Sequence, residues 1–150
     1  MSTKLPFTVQ LRAGDPISDQ VVLAVERALV SGVLRPGDAF PSVRALSREL
    51  RINPNTAHKV VATLVDRGLL EVRPGIGTRV TEPPPARREE TAELLGERLE
   101  RLVIEARRLG LDLARVQEAL ETQWRRLSGR SGERSAAAAD EPPRRRAARG

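Results

Sequence analysis

The sequence predicts a mainly α-helical fold carrying one small β-hairpin. Three observations point there. Apolar residues recur at spacings of three and four through most of residues 15–128. Aromatic residues are almost absent: Phe7, Phe40 and Trp124 are the whole set. The core must therefore be built from Leu, Val, Ile and Ala, which suits helices better than a large sheet. Only around Pro74-Gly75-Ile76-Gly77 do two short segments flank a turn in the manner of a hairpin.

The elements follow in order. Residues 4–15 form an entry arm in which Phe7-Thr8-Val9-Gln10-Leu11 alternates as a short strand does. Asp15-Pro16 opens a first helix, with Asp as N-cap and Pro at N1. Val21, Val25, Ala28 and Leu29 share one face, and Gly32 stops the helix. Leu34-Arg35-Pro36-Gly37-Asp38 is a turn, after which Ser42 caps a second helix with Val43, Leu46 and Leu50 inward. That helix ends near Arg51. Asn53 caps a third, Pro54 takes its N1 position, and Val60, Val61, Leu64 and Val65 form its buried stripe up to Gly68. Residues 69–73 and 78–81 are the hairpin strands. Glu82-Pro83-Pro84-Pro85 favours an extended linker. A long helix begins at Glu89, its Leu95, Leu99, Leu102, Ala106 and Leu109 stepping by 4-3-4-3, and Gly110 ends it. Asp112 caps another, with Leu113, Val116, Leu120, Trp124 and Leu127 in register. Beyond Ser128 the chain is Arg, Ala, Ser, Gly and Pro, a composition that predicts disorder.

Charge and composition narrow the function. The net charge of +6 fits an anionic partner, and it is unevenly spread. Residues 1–81 carry eleven Lys/Arg against seven Asp/Glu, whereas residues 82–128 carry nine against ten. Arg outnumbers Lys by 24 to 2, which speaks of a GC-rich genome more than of function. There is no cysteine, hence no disulfide frame and no thiolate metal site. The single histidine, His58, cannot supply a multi-histidine site, and a Ser–His pair would have to use it. No catalytic constellation, phosphate-binding glycine loop or metal-ligand cluster is found, so neither an enzyme, a cofactor nor a metal is expected. No signal peptide or run of about 20 apolar residues is visible, which makes the cytoplasm the expected compartment and a membrane partner unexpected.

Helix, helix, three-residue turn, helix and hairpin is the order of a winged helix-turn-helix, in which the helix after the turn lies in the DNA major groove with its N-terminal residues facing base edges. Here that end reads Asn53-Pro54-Asn55-Thr56-Ala57-His58-Lys59. Asn55 suits an adenine edge, Thr56 a phosphate or base, and His58 and Lys59 add donors. Arg44 is placed to clamp the backbone or reach a guanine. In the hairpin, Gly75 and Gly77 permit a tight bend and close approach to DNA, with Arg73 and Arg79 flanking the tip. Each residue also has a plain structural use: Asn53 and Pro54 as a cap pair, the glycines as hairpin chemistry, Arg44 as an ion-pair partner of Glu49 or Asp38.

The stretches Pro16-Ile17-Ser18-Asp19-Gln20, Gly32-Val33-Leu34-Arg35-Pro36-Gly37-Asp38 and Phe40-Pro41-Ser42-Val43-Arg44-Ala45-Leu46-Ser47-Arg48-Glu49-Leu50 resemble the GntR-family N-terminal domain. So do Ile52-Asn53-Pro54-Asn55-Thr56, Arg67-Gly68-Leu69-Leu70 and Gly75-Ile76-Gly77-Thr78-Arg79-Val80. The resemblance implies a winged helix that binds operator DNA as a dimer, with Arg44, Asn55, Thr56, His58 and Gly75 at the DNA surface. Where the family pattern has Leu, Val and Tyr, this chain has Phe40, Ala57 and Val61, which look like core adjustments. The short C-terminal part resembles the YtrA-like subfamily, whose two C-terminal helices mediate dimerisation.

The resulting division is a DNA-binding domain at 1–81, a Pro-rich linker at 82–88, a two-helix dimerisation segment at 89–128 and a basic tail at 129–150. Leu95, Leu99, Leu102, Leu113, Val116, Leu120 and Trp124 are expected to line a bundle shared with a second copy. Packing of this stripe against the winged domain of the same chain is the alternative. The expected function is a sequence-specific repressing regulator on double-stranded, pseudo-palindromic operator DNA, with architectural DNA binding as the alternative. No residue identifies a small-molecule effector.

Overall fold

The computed structural model describes residues 4–129. The entry arm runs without a strand partner, and its order comes from packing and side-chain bonds. Phe7 is buried and stacks on Phe40, ring centroids 5.7 Å apart. The arm's second anchor is Gln20. Its Oε1 accepts the Arg12 N–H at 2.7 Å, and its Nε2 donates to the carbonyls of Arg12 (2.9 Å) and Asp15 (3.0 Å). The strand expected over Phe7–Leu11 is thus an extended arm. Alternation records only that Phe7 is buried and Val9 half-buried while their neighbours face out.

Three helices follow: α1 (Ile17–Val30), α2 (Val43–Leu50) and α3 (Pro54–Asp66). The cap of α1 is Pro16, one residue later than the Asp15 expected, and it makes no side-chain bond. Ser42 caps α2 by accepting the Ala45 N–H at 3.1 Å. Asn53 caps α3 by accepting the Asn55 N–H at 2.8 Å, with Pro54 at N1, where a missing N–H costs nothing. The predicted stripes face inward, although Val43 and Leu50 are only half-buried and Val22 and Ala24 are buried beside the stripe of α1. Val21, Val25, Leu46, Ala57, Val60 and Leu64 are fully buried, and α3 packs on both α1 and α2. Helix α3 ends in a Schellman motif: Gly68 donates to Val65 and Leu69 to Leu64, both at 2.9 Å, with Gly68 at φ +72°.

The hairpin pairs β1 (Leu70–Arg73) with β2 (Gly77–Val80), in the register Leu70↔Val80 and Glu71↔Arg79. A third edge was not foreseen. Residues 37–40, of which the sequence reading places Gly37 and Asp38 in a turn, lie along β2: Gly37 donates to Val80, Val80 to Asp38 and Phe40 to Thr78, at 2.8, 2.9 and 2.8 Å. Single-residue pairing of this kind leaves no alternating pattern to read. Leu70 and Val80 close the core from the hairpin side.

Beyond the prolines, the single long helix expected from Glu89 is in fact broken. It comprises α4 (Arg88–Glu93), a π turn (Leu94–Arg98) and α5 (Leu99–Arg108). The break lies at Gly96, whose φ −93°, ψ −108° is not helical. Glycine is the residue that tolerates such a backbone, and it weakens a helix interior by about 1 kcal/mol relative to Ala. Gly110 and Leu111 close α5 by a second Schellman motif, and Asp112 caps α6 (Leu113–Ser128), accepting the Arg115 N–H at 2.8 Å. Apart from Gly129, the expected tail lies outside the described residues.

Candidate nucleic-acid interface

The turn between α2 and α3 sets the site. Leu50 and Ile52 flank Arg51, whose φ of +53° is left-handed, the one such non-glycine residue among those described. Ile52 donates to the Ser47 carbonyl at 3.1 Å, and Ser47 Oγ donates back to the Ile52 carbonyl at 2.7 Å. This closed turn locks the angle between α2 and α3 while burying Ile52. Burying Leu46, Ala57, Val60 and Leu64 then forces the opposite face of α3 outward. That face is Asn55, His58, Lys59 and Ala62, at helical spacings of three and four.

Each predicted residue has a definite place. Asn53, Asn55, His58 and Lys59 are exposed, and Thr56 is half-buried beside them. None of the side chains of Asn55, Thr56, His58 or Lys59 has a hydrogen-bond partner among the described residues, whereas the Asn53 side chain is committed to its cap. Arg44 is exposed on the first turn of α2. It makes no ion pair there; Glu49 instead meets Arg48 at 3.7 Å and Asp38 accepts the Arg35 N–H at 2.9 Å. The structural alternative for Arg44 is therefore absent among the described residues.

The wing tip is a turn over Arg73–Ile76, closed by the Ile76 N–H on the Arg73 carbonyl at 3.0 Å. Pro74 precedes Gly75 at φ +74°, the arrangement of a type II turn, and Gly77 follows at φ +106°. Both glycines are required by backbone conformation, and both are exposed at the tip. The wing arginines are less free than expected. Arg73 donates through Nε to Glu71 at 2.7 Å, and Arg79, half-buried, donates to the Gly37 carbonyl at 3.4 Å. Glu71 lies directly across the ladder from Arg79, so a carboxylate stands between the two cations on one face of the hairpin.

Sequence reasoning missed three residues here. Arg51 is betrayed only by its positive φ, which a sequence does not show. Ala62 extends the outward face of α3, and its small side chain lets that face approach a groove; counting on by seven from Asn55 finds it. Glu71 becomes relevant only once the strand register is known.

A helix presented by a tight turn, beside a basic hairpin with a glycine tip, defines a winged helix-turn-helix DNA-binding protein. Comparison with known proteins agrees. Residues 17–80 match the model of the bacterial regulatory proteins of the gntR family. The HTH-type transcriptional repressor YtrA of Bacillus subtilis is 32% identical over 108 residues, 71% of this chain and 83% of that one. The uncharacterized HTH-type transcriptional regulator YhcF of the same organism is 32% identical over 113 residues, 75% and 93% of the two chains. A solved structure described as a transcriptional antiterminator from Listeria monocytogenes superposes with a TM-score of 0.72 at 22% identity, covering 82% of this chain and 92% of that one.

The chain belongs to the GntR family and is similar to its short YtrA-type members. It is a sequence-specific DNA-binding transcriptional regulator, and its relatives are regulators rather than enzymes. Among the described residues, no helix is long and apolar enough to cross a membrane.

Proposed function

We propose that the protein is a cytoplasmic homodimeric repressor that reads a pseudo-palindromic operator with one α3 and one wing per half-site. The observation that carries this reading is the outward face of α3, where Asn55, His58 and Lys59 are exposed with no intramolecular partner for their side chains. Asn55 and His58 are assigned to base edges, Thr56, Lys59 and Arg44 to phosphates or neighbouring bases, and Arg73, Gly75, Gly77 and Arg79 to the flanking groove. Asn53 contributes by holding the helix end.

The dimer reading rests on α5 and α6. Leu95, Leu99, Leu102, Leu113, Leu120 and Trp124 are exposed, Trp124 at 73%, and Val116 is half-buried. Within the described chain only Ala106 of these two helices is buried. A stripe of this extent, left open by its own chain, favours burial against a second copy over packing on the winged domain. The division into a DNA-binding part, a proline linker and a dimerisation segment goes with this reading. Repression follows if the occupied operator overlaps a promoter, and the name of the Bacillus relative YtrA supports that sign.

The test is fluorescence anisotropy of the full chain at near-physiological salt, on duplexes from its own upstream region and on sites obtained by random-sequence selection, against scrambled controls. A preference of about 10³-fold or more is expected. Equal affinity for every duplex would overturn operator reading in favour of architectural binding.

A further inference from the structure

The end of α6 meets the winged domain. Leu127 and Ser128 are half-buried, and Gly129 lies against the Ser31 carbonyl at the end of α1, where a Cβ would collide. One step earlier, Arg126 faces a cavity of about 440 Å³ between α6, α1 and the entry arm. Arg12 of the arm and Arg27 of α1 line the same cavity, with Asp15, Gln20 and Leu23. Three arginines from three elements thus line one space. Among the described residues none of them is in an ion pair, and none donates a side-chain hydrogen bond. Among the described residues Asp15 is the one carboxylate lining the cavity, against three arginines. The Gln20 amide is already bound to the arm's backbone, which makes the wall carrying Arg12 rigid.

Unpaired cations that line one cavity repel one another, and an anion bound among them relieves that repulsion. Guanidinium groups match phosphate oxygens in two-point geometry. The volume falls in the range of small-ligand sites and leaves room, beside Leu23, for a small organic body. We propose that this cavity binds a small phosphorylated anion, and that the ligand ties α6 to α1 and so acts as an effector of DNA binding. Helix α1 packs on α3, so tying α6 to it fixes the recognition helix relative to the dimerisation segment. The effector half rests on the dimeric operator-binding reading above; the binding half does not. Duplex DNA is the other possible source of phosphate, and the test separates the two.

The full chain is titrated with inorganic pyrophosphate by isothermal calorimetry in a phosphate-free buffer. One saturable site per chain is expected, weakened at least about tenfold by Arg126→Gln or Arg12→Gln and unchanged by Lys59→Gln. Arg126→Lys, which keeps the charge and loses the fork, is expected to fall between. No saturable binding, or binding lost with Lys59→Gln and kept with Arg126→Gln, overturns the site. Loss of DNA affinity in Arg12→Gln and Arg126→Gln without any pyrophosphate assigns these arginines to the DNA backbone and also overturns it. Linkage requires pyrophosphate to shift operator affinity by about fivefold or more in the native chain and not in Arg126→Gln. Arginine-dependent binding with no such shift overturns the effector role alone.

Discussion

Asn55 and Lys59 are adjacent on the outward face of α3 yet are expected to fail differently. Asn55→Ala removes a base-edge contact and is expected to cost about 1–3 kcal/mol at the cognate operator while leaving scrambled DNA unaffected. Lys59→Gln removes a phosphate contact and is expected to weaken all duplexes alike, lowering the salt slope by about one per half-site. Anisotropy across a salt series distinguishes them. Glu71→Gln is the opposite kind of change. It deletes the carboxylate that holds Arg73 and faces Arg79, so scrambled DNA is expected to bind several-fold more tightly and specificity to fall. At Arg51 a left-handed conformation is imposed on a β-carbon-bearing residue, a penalty of about 1 kcal/mol or more. Arg51→Gly is therefore expected to raise the thermal midpoint by a few degrees, read by circular dichroism. A lower midpoint would show that the arginine side chain stabilises the turn. Residues that act through local chemistry, such as Ser42 and Asn53 as caps, were legible in the sequence. Arg51 and Glu71 were not, because their significance depends on a dihedral angle and a strand register.

Elements whose periodic apolar stripe meets a core were read well. The buried faces of α1, α2 and α3 lie where spacings of three and four put them. Leu46 is fully buried between helices, and Leu46→Ala is expected to cost about 2–5 kcal/mol in denaturant unfolding. The entry arm misled because alternation also describes an extended segment docked by one aromatic ring. The edge formed by residues 37–40 escaped notice because its hydrogen bonds run to a strand forty residues away. On α5 and α6 the periodicity was visible but its destination was not, since a stripe does not say which chain covers it. Leu99→Asp together with Leu120→Asp is expected to yield a monomer in sedimentation equilibrium, with helical content retained in the winged part and operator binding lost. A dimer that survives both changes would refute the assignment of this face.

For the whole molecule, the uneven charge is informative. The excess of cations lies in residues 1–81 and again beyond residue 128, while the segment between is close to neutral. That pattern was legible at once, and it agrees with a design in which one part meets phosphate and another meets a copy of itself. The angle between those parts is set by the proline linker, the π turn and the contact of α6 with α1 together, and residue periodicity shows neither the π turn nor that contact.

The π turn at Gly96 has a consequence for how the molecule is geared. A regular helix advances about 100° per residue, so one extra or missing residue within Leu94–Arg98 rotates everything before it by that angle relative to everything after. Along the chain the winged part precedes this joint and the apolar faces of α5 and α6 follow it, so such a change would also reseat the contact of α6 with α1. In the dimer proposed above, relatives that differ by a single residue here would keep the same recognition helix and the same pairing face, yet hold their two reading heads at a different phase. Their operators would then share half-site letters and differ in the number of base pairs between the halves.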